Sequence, residues 1–339
     1  MLTVPPEIQG LHIIASFSGG KDSTALLVAL QASGLPFTAV FADTGWEHPV
    51  TYAYIDEVAA KLGIVVHKVG VAGGMVARSA TRAGFPTRMA KWCTQELKLD
   101  PIRAFTVGLR ATVGDTVAAV GVRADESAKR AELPELGDDS GPKGFDGYVW
   151  RPLLRWTIDD VLRTIREAGL DVNPLYRMGM DRVGCFPCIF ASKAELHAMA
   201  EIWPERVDQI EALEAEFTRL RAERNAEYAA TTGKALLAAG WRRKPQVTWK
   251  AVKFDGRVVM KKISEIRWHR FGKWKDCIRY NHDQATFFQS RRADMQPQGI
   301  RELIDWSYTA RGGKQYDMFP GATGGCMSWG LCDLPSKKE

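Results

Sequence analysis

The chain has 339 residues, enough for one large domain or two modest ones, and its 45% hydrophobic and 25% charged residues are ordinary for a water-soluble globular protein. It has no apolar run as long as a membrane span, and its N-terminus lacks the basic stretch and apolar run of a signal peptide. We therefore expect a reducing, cytoplasmic setting and no membrane partner, and six cysteines in a chain of this length do not indicate a small disulfide framework.

The net charge of +6 is unevenly distributed. Residues 241–280 contain 13 Lys+Arg against 3 Asp+Glu, and the rest of the chain is slightly acidic. The same segment contains four tryptophans: Trp241, Trp249, Trp268 and Trp274. Basic charge interleaved with aromatic rings suits a nucleic-acid backbone and its bases. The alternative is a solvated basic face whose tryptophans form the core of a small domain.

The first third of the chain alternates between predicted strands and predicted helices. Apolar runs predict strands at 11–17, 37–42, 64–69 and 116–122, and amphipathic stretches predict helices near 22–33, 49–62 and 95–109. This alternation predicts an α/β fold with a doubly wound, mainly parallel sheet. Ligands of such sheets bind beyond the carboxyl ends of the strands.

The junction between the first strand and the first helix, Ser16-Phe-Ser-Gly-Gly-Lys-Asp-Ser23, predicts a phosphate cradle. Adjacent glycines let the backbone approach a ligand closely, and the helix N-terminus favours an anion. A Walker loop is excluded, because it requires four residues between the first glycine and the Gly-Lys pair. The candidate nucleotide-binding residues are Ser16, Ser18, Gly19, Gly20, Lys21, Asp22 and Ser23.

Polar residues also follow the other predicted strands. Asp43 can bind ribose hydroxyls, or it can cap a helix that begins near Pro49. Arg123 follows the fourth strand, where a guanidinium can meet a phosphate bidentately. Residues 70–94 predict a longer basic loop, either a lid over a substrate or a solvated surface loop.

The second half of the chain predicts helices and then a strand. Thr157 is the expected N-cap of one helix, and a long helix is expected from Lys193 to about Arg224 with an interruption near Pro204. Thr231–Lys234 predicts a break, and residues 247–254 predict a strand. The extension is therefore expected to be helical and basic. The expected domains are a nucleotide-binding domain at 1–190, a helical connector at 191–232 and a basic, Trp-rich region at 233–339.

The chain also contains Cys185-x-x-Cys188. In a reducing compartment this spacing indicates metal binding or redox chemistry. The alternative is a pair of buried thiols with no chemical role.

These motifs together resemble the PP-loop ATP pyrophosphatase superfamily, and within it the phosphoadenosine phosphosulfate reductase-like branch. The resemblance covers the first 190 residues. It implies an adenine nucleotide alpha hydrolase-like fold. Members of the branch include sulfonucleotide reductases, the small subunit of ATP sulfurylase and the sulfurtransferases of DNA phosphorothioation. The motifs that carry it are Ser18–Ser23, Asp43–Pro49, Trp92-Cys93, Gly121–Ser127, Pro152–Thr157, Asn173–Tyr176 and Cys185–Cys188.

Within the branch, the intact first loop resembles the loop of those members that cleave ATP between the α and β phosphates and transfer AMP. Sulfonucleotide reductases typically have a degraded first loop and a nucleophilic cysteine in a Glu-Cys-Gly-Leu-His context. Here Trp329-Gly-Leu-Cys-Asp333 lacks the Glu and the His. The resemblance thus implies an ATP-cleaving, adenylating sulfurtransferase, with ATP and Mg²⁺ at the first loop and Lys21, Asp22 and Arg123 as catalytic residues.

The expected acceptor is a nucleic acid, DNA rather than tRNA, as in DNA phosphorothioation. The expected partner is a sulfur donor such as a cysteine desulfurase. One alternative is a phosphoadenosine phosphosulfate or adenylyl sulfate reductase with Cys332 as the nucleophile. Another is a non-catalytic module that binds a nucleotide and a nucleic acid.

Iron–sulfur members of the branch place a Cys-Cys pair about 80 residues before a Cys-x-x-Cys, and four thiolates are usual for a [4Fe–4S] cluster. Here Cys93 is followed by Thr94, so one ligand of the pair is missing. The resemblance implies a [4Fe–4S] cluster, with structural zinc as the lesser alternative. The expected ligands are Cys93, Cys185, Cys188 and one of Cys277, Cys326 and Cys332, of which Cys326 is preferred. The alternative is a cluster that keeps one iron open.

Overall fold

The computed structural model describes residues 2–88, 90–139, 147–238, 284–287 and 298–309. It also describes the backbone of three strands at 242–254, 257–270 and 273–275. The described residues form two compact units: those within Met1–Arg78, Arg88–Ile202 and Ser307–Glu339 form the first, and those within Ser79–Thr87 and Trp203–Trp306 form the second.

The first unit is built on a six-stranded sheet with the order β3-β2-β1-β4-β6-β5. Four neighbouring pairs are parallel, and only the edge strand β5 runs antiparallel to its neighbour β6. The predicted doubly wound, mainly parallel sheet is confirmed. Its strands are β1 His12–Phe17, β2 Phe37–Asp43, β3 Val66–Gly70, β4 Thr116–Ala119, β5 Leu136–Asp138 and β6 Tyr148–Trp150.

Helices connect these strands. Because β2 and β4 lie on opposite sides of β1 and such crossovers are right-handed as a rule, the connecting helices are expected on both faces of the sheet. On one face Ile102 of the fifth helix packs on Ile14 and Val40 of the sheet. The helices described are α1 Lys21–Ala32, α2 Pro49–Leu62, α3 Gly74–Arg82, α4 Trp92–Thr94, α5 Asp100–Val113, α6 Ala128–Ala131, α7 Ile158–Glu167, α8 Lys193–Ile202, α9 Pro204–Ala238 and α10 Ile300–Ser307.

Shorter helical turns complete the chain path. A π-helical turn, Gln95–Leu99, joins α4 to α5, so the helix expected near 95–109 runs without a gap from residue 92 to residue 113. Three further turns are 3-10 helices at Pro6–Ile8, Ala124–Glu126 and Pro174–Met178. Thr157 caps α7 as expected, because its Oγ1 accepts from Asp160 N while Asp160 accepts in return from Thr157 N.

The expected loop at 70–94 is wrong in part, because α3 occupies Gly74–Arg82. The glycines at 73 and 74 led to a loop prediction, but Gly74 begins a helix whose first turn is held by the residue that follows β2. Met75 N donates to Thr44 O at 2.7 Å, and the Met75 side chain is buried. An anchored first turn overrides the weak helix propensity of the segment.

The second unit contains the long helix α9, which begins at Pro204 as expected but continues through residues 231–234. The break expected at Thr231–Lys234 is therefore wrong, because one glycine inside a helix costs only about 1 kcal/mol. Phe85, Phe217 and Phe287 form the aromatic core of this unit, with ring centroids 4.9 and 4.8 Å from Phe85.

The basic segment forms a three-stranded antiparallel sheet, β7 Arg242–Phe254, β8 Arg257–Arg270 and β9 Lys273–Lys275, with the order β7-β8-β9. The strand expected at 247–254 lies within β7. The extension thus adds a β-sheet to the expected helices. Trp249, Trp268 and Trp274 lie on the three strands, and Trp241 lies outside the described residues. No helix in the described part of the chain is long and apolar enough to cross a membrane.

Candidate functional site

The loop between β1 and α1 is folded tightly onto the first turn of α1. Gly19 has a φ of +72°, and a Cβ there would lie 2.9 Å from Thr51 Cγ2, so this position requires glycine. Ser23 Oγ donates to Gly20 O at 2.9 Å and accepts from Ser18 N at 3.2 Å. Ser18 and Ser23, the two ends of the predicted loop, are thus brought together by their own side chains.

Residues far along the chain hold this loop in place. Asn173 is fully buried, and its Nδ2 donates to Gly19 O at 3.2 Å while its Oδ1 accepts from Leu175 N at 3.1 Å. Tyr176 OH accepts from Lys21 N at 3.2 Å. Sequence reasoning gave Asn173 and Tyr176 no role of their own, and the available signal was the Asn-Pro that opens the turn Pro174–Met178.

The three residues predicted as catalytic form one chain of charges. Lys21 Nζ donates to Asp22 Oδ2 at 2.9 Å, and Arg123 Nε donates to Asp22 Oδ1 at 2.5 Å. Arg123 Nη1 in turn contacts the Asp125 carboxylate at 2.6 Å. Lys21 and Arg123 are 6% and 4% exposed, so both cations are buried beside the Asp22 carboxylate.

This arrangement fixes the charge of Asp22. Burial alone would raise its pKa, but Lys21 and Arg123 outweigh that effect and hold the pKa of Asp22 below its usual value. Burial also opposes the charge of Arg123, yet Asp22, Asp125 and Glu126 raise its pKa. Asp22 and Arg123 therefore hold each other in the ionised state.

The position of Arg123 differs from the simple expectation of a guanidinium aimed at a phosphate. Its Nε and Nη1 are engaged by Asp22 and Asp125. A bidentate phosphate contact needs two of the three guanidinium nitrogens, so it requires this arrangement to change. As the structure stands, Arg123 contributes positive charge next to the loop and orients Asp22.

Ser16 and Asp43, the other predicted nucleotide-binding residues, lie on neighbouring parallel strands. Ser16 Oγ is buried and has no hydrogen-bond partner among the described residues. Asp43 Oδ1 accepts from Tyr52 OH at 2.6 Å and from Gly45 N at 2.9 Å. The register pairs Phe17 with Phe41, so both strands deliver their last residues to the same edge of the sheet. An orphaned buried hydroxyl, a glycine cradle and a helix N-terminus fit a phosphate-bearing ligand.

The cysteine loops lie close to the end of β2. Glu47 pairs with Cys185 in an isolated antiparallel bridge, and Phe186 N donates to Trp46 O at 2.7 Å. Trp46 Nε1 donates to Pro187 O at 3.1 Å, which fixes the loop between Cys185 and Cys188 from the other side. Cys93, Cys185 and Cys188 are free thiols.

Lys98 is the cation of this group. The negative charge that Cys185 can carry is the largest cause that raises the pKa of Lys98 above its ordinary value. Burial opposes the lysine charge, and Glu47, Cys188 and Cys93 raise the pKa further. Burial raises the pKa of Cys185, and Lys98 partly offsets that rise. The three thiols therefore share the field of one lysine, which the sequence reasoning did not single out. The only signal was a lysine five residues after Cys93 on a helical segment.

Three of the four expected metal ligands, Cys93, Cys185 and Cys188, lie in the described part of the chain. No group of three or more Cys, His, Asp or Glu side chains among the described residues is placed to hold a metal ion. The candidates for the fourth ligand, Cys277, Cys326 and Cys332, lie outside the described residues. The [4Fe–4S] cluster and its zinc alternative therefore stay predictions.

The fold and the loop define the class of protein. The model of the phosphoadenosine phosphosulfate reductase domain family matches residues 12–191, which is more than half of the chain. The chain belongs to this family. The matched range includes the Ser18–Ser23 loop, Arg123 and the cysteine pair Cys185 and Cys188.

The sequence similarity to individual relatives covers different shares of the chain. An uncharacterized 37.8 kDa protein of Escherichia phage 186 is 28% identical over 90% of this chain and 90% of its own length. An uncharacterized protein of Methanocaldococcus jannaschii is 27% identical over 70% of this chain, which spans only 46% of that relative. The adenosine 5'-phosphosulfate reductase of Allochromatium vinosum is 28% identical over 52% of this chain and 67% of its own length.

Among solved structures, the phosphoadenylyl-sulfate reductase of Candida auris matches 54% of this chain and 85% of its own chain. The identity is 17% and the TM-score is 0.41.

Proposed function

We propose that this protein is an ATP pyrophosphatase that adenylates an acceptor for sulfur incorporation. The observation that carries the proposal is the intact Ser18-Gly-Gly-Lys-Asp-Ser23 loop at the junction of β1 and α1. Two further features support it: Ser16 Oγ is buried without a partner, and Lys21 and Arg123 bring two buried cations to the same turn. An enzyme that binds an already activated nucleotide has no need of a complete loop for a triphosphate.

In the proposed reaction, an acceptor oxygen attacks the α phosphorus of ATP. The bond from the α phosphorus to the bridging oxygen breaks, pyrophosphate leaves, and the acceptor carries AMP. Lys21, with Arg123 behind it, stabilises the negative charge that develops on the departing pyrophosphate. Asp22 holds both cations in position, and Asp43 is available to the ribose. Mg²⁺ would neutralise part of the triphosphate charge when bound.

Sulfur then displaces AMP from the adenylated acceptor. A donor such as a cysteine desulfurase supplies the sulfur as a persulfide, and two electrons from a thiol reductant bring it to the oxidation level of sulfide. The sulfur then bonds to the atom that carried the AMP-bearing oxygen, and AMP leaves with that oxygen. We infer that the acceptor is a nucleic acid, DNA rather than tRNA, and that the reaction resembles DNA phosphorothioation. The basic strands β7–β9 support this part of the proposal, because Lys and Arg neutralise phosphates.

The direct test is pyrophosphate release from ATP by anaerobically purified protein, with and without nucleic acid and a sulfide source. We expect pyrophosphate and AMP in equal amounts, with the rate raised by the acceptor. Absence of both products under all of these conditions would overturn the proposal.

A second candidate is a reductase of an activated sulfate, which is favoured by the similarity to adenosine 5'-phosphosulfate reductases. The expected nucleophile of that reaction, Cys332, lies outside the described residues. The two candidates differ in product, because the reductase releases sulfite from the activated sulfate and leaves ATP intact. Both assays can be run on the same preparation.

A further inference from the structure

Three exposed cations converge on one aromatic ring in the first unit. Lys91 Nζ lies 5.0 Å from the centroid of Phe190. The guanidinium carbons of Arg88 and Arg182 lie 5.7 and 5.8 Å from the same centroid. Arg88, Lys91, Arg182 and Phe190 are called the Phe190 cluster below.

The cations of the cluster form no ion pairs with the carboxylates of the described residues. Arg88 Nε donates instead to the backbone oxygen of Ile189 at 3.3 Å. An acidic influence comes from the buried Glu195 carboxylate, which accepts from Arg182 N at 3.1 Å. Burial raises the pKa of Glu195, and the Arg182 charge lowers it in part. Other exposed cations of this unit are paired at 2.5 to 2.9 Å: Lys61 with Glu57, Lys68 with Asp56 and Arg163 with Asp160.

Three unpaired like charges around one ring repel one another. Contact with the ring stabilises each exposed cation by only about 0.5–1 kcal/mol. An anion placed among them would remove the repulsion and add charge-assisted hydrogen bonds. The arrangement therefore points to an anionic ligand outside the chain itself.

The cluster lies on the segments that carry the thiols. Lys91 is two residues before Cys93, Arg182 is three residues before Cys185, and Phe190 is two residues after Cys188. An anion bound by the cluster is thus held beside the cysteine loops. The predicted ATP residues lie on other segments, namely the β1–α1 loop and the ends of β2 and β4.

We propose that the Phe190 cluster docks the phosphodiester backbone of the nucleic-acid acceptor beside the cysteine loops. This inference rests on the proposed function and names a docking surface within the family domain, made of residues other than those of the basic strands. A polyanion fits better than a small anion, because the three cations are exposed and are spread over two segments of the chain, 88–91 and the one that contains Arg182. Small-molecule sites are concave and enclose most of their ligand, whereas phosphate backbones are met by open arrays of Lys and Arg.

The test compares two triple variants of the full chain. The first, Arg88→Gln, Lys91→Gln and Arg182→Gln, neutralises the cluster. The second, Lys61→Gln, Lys68→Gln and Arg163→Gln, removes the same number of charges from paired sites elsewhere in the unit. All six side chains are exposed, so both variants are expected to fold, which circular dichroism and thermal unfolding verify.

Binding of a fluorescein-labelled single-stranded DNA of about 20 nucleotides is followed by anisotropy over a range of salt concentrations. For single-stranded DNA, each phosphate contact contributes about −0.7 to the slope of log K against log salt concentration. The cluster variant should therefore have a slope smaller in magnitude by about 2 than wild type, and the matched variant should keep the wild-type slope. Affinity at low salt should fall at least tenfold in the cluster variant only.

Equal slopes for the two triple variants would overturn the docking surface, as would a wild-type protein that does not bind the oligonucleotide at low salt. Pyrophosphate release from ATP is measured on the same proteins. Release without nucleic-acid binding would remove the docking surface and leave the ATP proposal standing. Binding without release would remove the ATP proposal and leave the docking surface.

Discussion

Arg123 and Asp22 are 101 residues apart in the sequence, yet Arg123 Nε donates to Asp22 Oδ1 at 2.5 Å. Lys21 holds the other oxygen of the same carboxylate. The first turn of α1 is thereby tied to the segment that follows β4. Because both cations are buried, the carboxylate between them is a structural requirement as well as part of the proposed site.

Replacement of Asp22 tests this arrangement. Asp22→Asn leaves two buried cations without their shared anion, and it should lower the free energy of unfolding at neutral pH by about 3 kcal/mol. Urea unfolding measures the difference. Asp56→Asn is the matched control, because it removes a carboxylate from the exposed Lys68 pair and should change stability by less than about 1 kcal/mol.

The same variant predicts a pH dependence. The pKa of Asp22 is lowered in the folded protein, so its ion pairs contribute fully above the usual aspartate pKa, about 3.9, and are lost as the pH falls through the folded-state pKa. The stability gap between wild type and Asp22→Asn should therefore narrow on acidification below pH 4. A gap that stayed constant down to the acid unfolding of the protein would contradict the assignment of the charge.

Lys21 is the residue on which the proposed chemistry depends most. Lys21→Met keeps much of the side-chain volume and removes the charge, and it should reduce the rate of pyrophosphate release by roughly 10²–10³-fold. The control is Lys68→Met, which removes an exposed lysine of similar chemistry and should leave the rate unchanged. A Lys21→Met enzyme that is folded and fully active would exclude Lys21 from the reaction.

Two glycine-to-alanine substitutions, one beside the nucleotide loop and one in a helix, test the geometry of the loop. A Cβ at Gly121 would lie 2.7 Å from Asp22 O and 3.0 Å from Ser23 N, both backbone atoms, so Gly121→Ala must displace the start of α1. We expect a loss of about 1–3 kcal/mol in stability and weaker ATP binding. Gly108 lies inside α5 with no atom within 4 Å of an added Cβ, and Gly108→Ala should raise stability by about 0.5–1 kcal/mol. Thermal unfolding and ATP titration of both variants check the contrast.

The cysteine prediction has a spectroscopic test. Protein purified without oxygen should be brown, with the broad visible absorption of a [4Fe–4S] cluster, and Cys185→Ser should abolish the colour. If Cys326 is the fourth ligand, Cys326→Ser should also lose the colour while Cys277→Ser keeps it. A colourless wild-type protein with stoichiometric zinc would contradict the cluster and favour the zinc alternative.

Local patterns were enough to predict most of the first unit. The strand at 11–17 and the helix at 49–62 were found from apolar runs and amphipathic spacing, and the structure has His12–Phe17 and Pro49–Leu62. The strand is buried on both faces and reads as a continuous apolar run, and the helix is buried along one face and reads as an amphipathic repeat, so both patterns are visible in the residues themselves. The errors at 70–94 and 231–234 arose where a helix depends on contacts that its own residues do not reveal.

The Ser18–Ser23 loop could likewise be predicted, because its glycines and hydroxyls serve a backbone geometry that is local. The residues that hold this loop in place could not be predicted in the same way. Asn173 and Tyr176 reach the loop from a turn about 150 residues further along the chain, with separations of 154 and 155 residues for their hydrogen bonds. No spacing rule connects such positions.

By itself the sequence determined the α/β class, the position of the nucleotide loop and the residues that form it, because each of these depends on short-range pattern. Only the tertiary structure decided that Arg123 binds Asp22, that Lys98 interacts electrostatically with three thiols, and that Arg88, Lys91 and Arg182 meet at Phe190. Electrostatic interactions depend on distance through space, and the fold brings together charges that the chain keeps far apart.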